Sequence, residues 1–275
     1  MTLVGLAERW PRRLWMAALL VLFVLFIVLP FVMILLQAFG NDWFGLRFLP
    51  AHWTLRWFRW AIDTVDIPKV LLNTLVIGLL ATLFSLAISL PAAWAIARRR
   101  LALRPLLIGL VLFPRMIPEI TFALGVAKVF YALNLNNTYI GIALAHVVLA
   151  APFAVLVLIS TFEGVDARLL EAASVMGSSG VSLMTRVILP MAIPGIVAAA
   201  IFSFLSSYND FVLTLLLYGP QTTTLPVQTY LSIGNGYTSV AGAISVILLI
   251  PSMAFLVAML RLVKPENLLG GLKGA

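Results

Sequence analysis

The sequence predicts an all-α membrane protein, a bundle of about six transmembrane helices. Of its 275 residues, 63% are hydrophobic and only 10% are charged, whereas soluble domains carry about 25% charged residues. A chain of this size cannot hide so much apolar surface from water, so its solvent must be lipid. The apolar blocks are long and continuous rather than alternating, which excludes a membrane β-barrel.

The first predicted span covers residues 14–39, which contain no charged side chain. This length exceeds the roughly 20 apolar residues that a membrane helix needs. Three arginines precede the span and resemble the start of a signal peptide. The apolar run is too long for a signal peptide, and no small-residue cleavage site follows it cleanly. We therefore expect a retained first helix.

Five further spans are predicted from apolar blocks at 70–97, 105–133, 139–162, 187–208 and 240–262. Most of these blocks, like the first, contain or end in proline: Pro30, Pro91, Pro114, Pro118, Pro152, Pro194 and Pro251. Each proline removes a backbone hydrogen bond and favours a kink. The sequence thus predicts a bundle of bent helices.

Arginine and lysine residues predict the orientation. Most of the 18 basic residues fall in the N-terminal segment, the connections at 98–104 and 163–190, and the C-terminal segment. Because basic residues favour the cytoplasmic side, we expect both termini and the 163–190 connection to be cytoplasmic. The opposite connection carries basic residues that are offset by acidic ones: Arg47, Arg56, Arg59 and Lys69 against Asp42, Asp63 and Asp66.

All seven tryptophans lie near predicted span ends. Trp53, Trp57 and Trp60 share one face of a predicted helix at 53–62, which we expect to lie on the outer interface. The alternative is a solvated loop with scattered aromatic residues. The chain shows no tandem repeat and no second domain, so we predict one transmembrane domain at 14–263 between cytoplasmic tails at 1–13 and 264–275.

The sequence contains no pattern typical of a catalytic or metal-binding site. It has no cysteine, no GxxxxGK[ST] phosphate loop, no HExxH and no carboxylate cluster. Its two histidines are His52 and His146. We predict no catalytic residue, metal or cofactor on this chain and no nucleic acid partner. Any nucleotide that drives its function must be hydrolysed by another chain.

An enzymatic alternative rests on the GSSG sequence at 177–180. A six-span protein with a GxSG motif and a histidine in a span resembles the rhomboid intramembrane proteases. Those proteases need the serine inside a span and the histidine on a later helix. Here Ser179 lies in a predicted cytoplasmic connection, and His146 precedes it. We expect GSSG to be a flexible turn and His146 to bond to a neighbouring helix.

The sequence EAASVMGSSGVSLMTRVILP at 171–190 predicts a short helix between two spans. Asp166 can cap a helix from 167 to about 176, and two alanines let a partner approach that helix closely. Gly177 and Gly180 can end it, since glycine adopts left-handed turns readily, and Pro190 would restart the chain at the next span. Such a helix suits a soluble partner with a groove.

This stretch resembles the EAA motif of ABC importer permeases, EAA-x3-G-x9-I-x-L-P. The spacing matches throughout, and the one departure is Val187 in place of isoleucine. The resemblance implies a type I importer permease fold in which the 163–190 connection forms the coupling helix, docked in a cleft of the ATPase. It implies six coupling residues: Glu171, Ala172, Ala173, Gly177, Leu189 and Pro190.

Other segments are similar to the spermidine/putrescine branch of these permeases. They are LNTL at 72–75, IPEI at 117–120, NDFV at 209–212, YGP at 218–220 and TTLP at 223–226. The resemblance implies a polyamine as solute. The branch also includes importers of opines, aminoethylphosphonate and iron, which stay open as alternatives.

Ionisable residues inside spans are candidates for the substrate pathway, because they are costly in lipid. Arg115 and Glu119 are four residues apart, so they are predicted to share one helix face. Asp210 follows the fifth span beside Asn209 and Tyr208. Glu119 and Asp210 would attract a polyamine, and Tyr208 could add a cation–π contact. The alternatives are a purely structural Arg115–Glu119 pair, or an anionic solute bound by an unpaired Arg115.

The resemblance also implies the partners. They are two copies of an ATPase that holds ATP and magnesium, a second permease expected to be a homologous but different chain, and an extracytoplasmic substrate-binding protein, all at a bacterial inner membrane. A secondary transporter or channel is the remaining alternative. A secondary transporter would typically show inverted repeats and broken spans in matching positions, which the sequence does not show.

Overall fold

The computed structural model describes residues 9–43, 49–98, 103–176, 178 and 180–262, which are almost entirely helical. The helices are α1 (Arg9–Phe39), α2 (Arg56–Val65), α3 (Ile67–Arg98), α4 (Arg104–Met116), α5 (Glu119–Ala132), α6 (Tyr139–Glu163), α7 (Ala167–Val175), α8 (Gly180–Leu183), α9 (Leu189–Tyr208), α10 (Val212–Leu217), α11 (Leu225–Gly234) and α12 (Thr238–Leu262). Two short strands, β1 (Gly40–Asn41) and β2 (His52–Trp53), pair antiparallel.

Within the described residues, five helical stretches are long and apolar enough to cross a membrane, and the number rises to six if α4 and α5 count as one span. This confirms the predicted all-α fold of about six spans. The predicted continuous third span is wrong, because α4 and α5 meet at an angle of 96°. Pro118 lacks an N–H, and Ile117 before it adopts an extended backbone with ψ 140°, as residues preceding proline prefer.

The fifth span also differs from its predicted start. The chain is helical from Gly180 to Tyr208, so Pro190 lies inside a continuous helical stretch and does not restart the chain. A π-helical segment, Met184–Ile188, precedes α9, and the Leu189 N–H bonds to the Met184 carbonyl oxygen. The wider π turn places Pro190, which has no N–H, within the first turn of α9 without a break.

The chain forms two compact units, and the first comprises the residues up to Asp66 together with Thr229–Ile247. In this unit β1 and β2 pair with Gly40 opposite Trp53. A Cβ at Gly40 would lie 2.5 Å from the Leu36 carbonyl oxygen, so the hairpin requires glycine there. A helix is present near the predicted position as α2, but it begins at Arg56 and ends where Asp66 adopts φ 53°. Trp53 lies in β2 instead, so the prediction that Trp53, Trp57 and Trp60 share one helix face is wrong.

The second unit comprises Ile67–Gln228 and the residues from Leu248 onward. Helices α3, α6 and α9 pack against one another along their lengths. Their contacts use small side chains such as Ala81, Ala154 and Ala199, all fully buried, which let helices approach closely in a membrane. Two apolar clusters form, one around Ile77 and Ile142 and the other around Ile96 and Phe162 at the opposite ends of the same helices.

The connection after the fifth span is part of the core of the second unit. The sequence predicts a connection between the fifth and sixth spans here, but Leu213 and Leu217 of α10 are fully buried and belong to the cluster around Ile77 and Ile142. The Asn137 N–H donates to the Leu217 carbonyl oxygen at 2.7 Å. The apolar run VLTLLL at 212–217 is the signal for this packing, although it is far too short to span a membrane.

Candidate functional site

The connection at 163–190, called the coupling segment here after its predicted role, carries motif residues on the short helix α7. The Asp166 Oδ1 accepts a hydrogen bond from the Arg168 N–H at 2.9 Å, which confirms the predicted N-terminal cap of α7. Glu171 and Ala172 are exposed, whereas Ala173 is only 5% exposed. The first two motif residues therefore face outward and the third packs inward.

The end of α7 presents apolar side chains to its surroundings. Val175, Met176 and Val181 are each at least 76% exposed. Gly177 lies outside the described residues. Leu189 is half-buried and Pro190 is exposed on α9. Near the end of α7 the chain thus exposes the apolar side chains of Val175 and Met176 and the carboxylate of Glu171, and exposed apolar side chains of this kind can mark an interaction site.

Two arginines tie the coupling segment to the connection between α3 and α4. Arg98 donates from Nη2 to the carbonyl oxygens of Phe162 at 2.6 Å and Val165 at 2.5 Å. Arg104 pairs with Glu163, and both side chains are partly exposed. A cation at the end of α6 donates to carbonyl groups at the helix terminus and interacts favourably with the helix dipole.

A buried polar network surrounds His146 in α6. Its Nδ1 lies 2.7 Å from the Ser207 hydroxyl, and its Nε2 lies 2.9 Å from the Thr214 hydroxyl and 3.2 Å from the Asp210 carboxylate. All four side chains are buried. The predicted bond from His146 to a neighbouring helix is thus present, and the network links α6, α9 and α10.

Asp210 belongs to this network rather than to an open surface. It is 8% exposed, and its Oδ1 accepts hydrogen bonds from the Thr214 N–H at 3.0 Å and hydroxyl at 3.2 Å. Burial by itself raises the pKa of Asp210, but the adjacent His146 ring and the Thr214 hydrogen bonds outweigh it and lower that pKa below its ordinary value. The contacts with His146 and Thr214 thus favour the ionised form of the carboxylate.

Tyr208 and Asn209 stand on either side of the end of α9. Tyr208 is fully buried and stacks on Phe204 with 5.5 Å between ring centroids. Among the residues that the structure describes, its hydroxyl has no hydrogen-bond partner. Asn209 is exposed, and its Nδ2 donates to the Leu205 carbonyl oxygen at 3.0 Å. Only Asn209 of these two faces outward.

Arg115 and Glu119 do not share a helix face, because the 96° bend separates α4 from α5. No ion pair joins them in the described part of the chain. Arg115 instead donates from Nε and Nη2 to the Leu149 carbonyl oxygen at 3.0 and 2.6 Å. Its Nη2 lies 3.2 Å from the Ser206 hydroxyl, and its guanidinium lies 4.6 Å from the Phe153 ring centroid. Glu119 is exposed.

The contact between the segments LNTL at 72–75 and TTLP at 223–226 was not predicted from the sequence. Asn73 Nδ2 donates to the carbonyl oxygens of Gln221 at 3.0 Å and Thr223 at 2.9 Å. The Leu225 N–H donates to the Thr74 hydroxyl at 2.9 Å. Polar residues at the start of an apolar block were the available signal. They join segments about 150 positions apart, a separation that local patterns cannot reveal.

The comparisons with known proteins place this geometry in a family. Residues 85–266 match the family model described as "Binding-protein-dependent transport system inner membrane component". The spermidine/putrescine transport system permease protein PotC of Escherichia coli (strain K12) is 24% identical over 85% of this chain and 88% of its own length. A putative ABC transporter permease protein ORF1 of Streptomyces antibioticus is 33% identical over 82% of this chain and all of its own.

A solved structure shares the fold. A bacterial ABC transporter involved in the import of the acidic polysaccharide alginate aligns with a TM-score of 0.73 at 19% identity, covering 92% of this chain and 97% of the other. The family match spans well over half of the chain and reaches from α3 into the C-terminal segment. The chain therefore belongs to the family of binding-protein-dependent transport system inner membrane components, and it is an ABC importer permease subunit.

Proposed function

We propose that this permease carries a polyamine of the spermidine/putrescine type into the cell by alternating access, driven by a separate ATPase. The observation that supports the coupling is the exposed surface of the coupling segment, where Glu171, Val175 and Met176 project from α7. The polyamine rests on the similarity to PotC and on the exposed carboxylate of Glu119.

The mechanism follows from this surface. The ATPase cleft binds α7, and ATP binding draws two ATPase copies together. The movement passes from α7 to the end of α6, and the bundle changes from inward-open to outward-open. ATP and magnesium stay on the ATPase, so this chain supplies two conformations of similar free energy and no catalytic group.

The proposal includes three kinds of partner. They are two ATPase subunits at the coupling segment, a second and homologous permease that completes the pathway, and an extracytoplasmic binding protein that delivers the solute. The alginate transporter has been seen with a substrate-bound periplasmic protein, which supports the third. Both termini and the coupling segment are cytoplasmic in this proposal, following the placement of basic residues.

The first test is purification of the tagged chain from its own membranes in mild detergent, with mass spectrometry of what accompanies it. A stoichiometric ATPase and a second permease are expected. Gly177→Trp should then abolish ATP-driven uptake while the chain stays in the membrane. The matched control is Gly109→Trp, since no atom lies within 4 Å of a Cβ at Gly109. Normal uptake by the Gly177 variant would overturn the coupling role.

A second candidate is a saccharide-type solute. The sulfoquinovosyl glycerol permease SmoH of Agrobacterium fabrum is 29% identical over 83% of this chain, a higher identity than that of PotC. Asp210 is also buried in the His146 network, so fewer carboxylates are accessible to bind a polyamine. Titration of the cognate binding protein with spermidine, putrescine and sulfoquinovosyl glycerol distinguishes the two. Saturable binding of a saccharide alone would replace the polyamine.

A further inference from the structure

A cavity of about 300 Å³ lies within the first unit, where α1 ends and α12 begins. Both helices are candidate spans, so their adjacent ends mark a boundary between lipid and water. Lipid headgroups lie at that level. The volume is at the lower end of small-molecule sites, which hold on the order of 300–1,000 Å³. The cavity is therefore large enough for a headgroup and placed where headgroups occur.

The cavity is lined by one cation and one anion. Arg56 of α2 and Asp42 after β1 both line it, and both are exposed. Among the described residues no ion pair joins these two charges or uses either of them. The Asp42 Oδ2 accepts a hydrogen bond from the Asn41 side-chain amide at 2.9 Å. Charges of opposite sign in one small cavity, not neutralised by each other, suit a zwitterionic ligand.

Aromatic rings form part of the wall and keep the cation in place. The Trp57 Nε1 donates to the Gly40 carbonyl oxygen at 2.7 Å, which holds the ring against the hairpin. The Arg56 guanidinium lies 4.4 Å from the Trp57 ring centroid, within cation–π distance. Tyr237 also lines the cavity, and its ring packs 4.9 Å from that of Trp60. Such rings are typical of the membrane interface.

We propose that this cavity binds an aminophosphate headgroup of a membrane lipid, as in phosphatidylethanolamine. Arg56 binds the phosphate, helped by the neighbouring hydroxyl residues Thr238 and Ser239, because guanidinium and hydroxyl groups donate to phosphate oxygens. Asp42 binds the ammonium. The acyl chains extend along the apolar surface of α1, whose side chains from Leu14 to Leu35 are mostly exposed. This site is independent of the transported solute.

The test uses the purified full-length chain, delipidated in detergent, with lipid binding measured by native mass spectrometry. Phosphatidylethanolamine should bind more tightly than phosphatidylglycerol, which lacks the ammonium. Arg56→Gln should weaken phosphatidylethanolamine binding by at least about tenfold. The matched control is Arg59→Gln, an exposed arginine of the same helix that does not line the cavity, and it should bind as the parent chain does.

A second variant tests the anion separately. Asp42→Asn should reduce binding of phosphatidylethanolamine and leave that of phosphatidylglycerol unchanged, so the preference between the two lipids disappears. Equal binding of phosphatidylethanolamine by the Arg56→Gln and Arg59→Gln variants would overturn the proposal. A third binding measurement uses soluble phosphoethanolamine. If it binds the cavity and the lipid does not displace it, the site serves a free solute and the lipid assignment is wrong.

Discussion

Arg98, the last residue of α3, donates a hydrogen bond from Nη2 to the carbonyl oxygen of Phe162 in the last turn of α6 at 2.6 Å. The Phe162 ring packs edge-on against Trp94, with 5.3 Å between ring centroids. The end of α6 is thus held to α3 by a cation and an aromatic pair. Helix α7 begins five residues after Phe162, so Arg98 holds the chain shortly before α7 starts.

We expect Arg98→Gln to loosen the coupling segment, because the substitution removes the cation that binds two carbonyl oxygens. A hydrogen bond from a charged group contributes about 1.5–3 kcal/mol. The chain has no cysteine, so spin labels can be placed selectively at Leu103 and Val175, both exposed. The distance distribution between the labels should broaden. Arg104→Gln is the control, since its partly exposed pair with Glu163 contributes at most about 1 kcal/mol. Equally broad distance distributions in the Arg98→Gln and Arg104→Gln variants would contradict the role of Arg98.

His146→Ala should destabilise the protein by about 2–3 kcal/mol, because Ser207, Thr214 and Asp210 lose a buried partner. Thermal unfolding in detergent, followed by tryptophan fluorescence, measures the change. The other histidine provides the control. His52 is exposed, and His52→Ala should alter stability by no more than about 0.5 kcal/mol. A similar midpoint for both variants would show that the network contributes little.

Gly195→Ala should also lower stability. A Cβ at Gly195 would lie 1.9 Å from the Thr161 hydroxyl oxygen, so α6 and α9 would have to separate, at a cost of about 1–3 kcal/mol. Gly109 lies within α4 with open space around a Cβ, and Gly109→Ala should be neutral or stabilising by up to about 1 kcal/mol. The two unfolding midpoints are measured side by side. That of the Gly195→Ala variant should fall, whereas that of the Gly109→Ala variant should stay unchanged or rise.

Glu119→Gln should reduce polyamine uptake by about threefold to tenfold, corresponding to the loss of about 1 kcal/mol of attraction for a cation. Uptake in proteoliposomes containing the complete transporter is the measurement, with binding-protein affinity for the polyamine determined separately. Lys128→Gln is the control, because Lys128 is an exposed charge of the same helix and carries the opposite sign. Unchanged uptake in the Glu119 variant would remove this carboxylate from the pathway.

Local sequence patterns predicted some contacts of individual residues correctly and others not. The Asp166 cap was predictable because it depends on residues within one helical turn. The separation of Arg115 from Glu119 was not predictable from their spacing, because Pro118 turns the chain by 96° between them. The burial of Asp210 depends on His146, which lies 64 positions earlier in the chain, and no helix or strand period links such distant positions.

The class of protein and the approximate number of spans could both be predicted from the amino-acid sequence. Lipid as solvent demands long apolar helices, so composition and length suffice to find them. Three features became visible only in the folded chain: the stretch at 212–217 packs into the core, His146 joins three helices, and Arg98 holds the end of α6. These contacts satisfy polar groups across separate elements inside a low-dielectric bundle, and their partners are chosen by the packing of the whole chain rather than by neighbours in sequence.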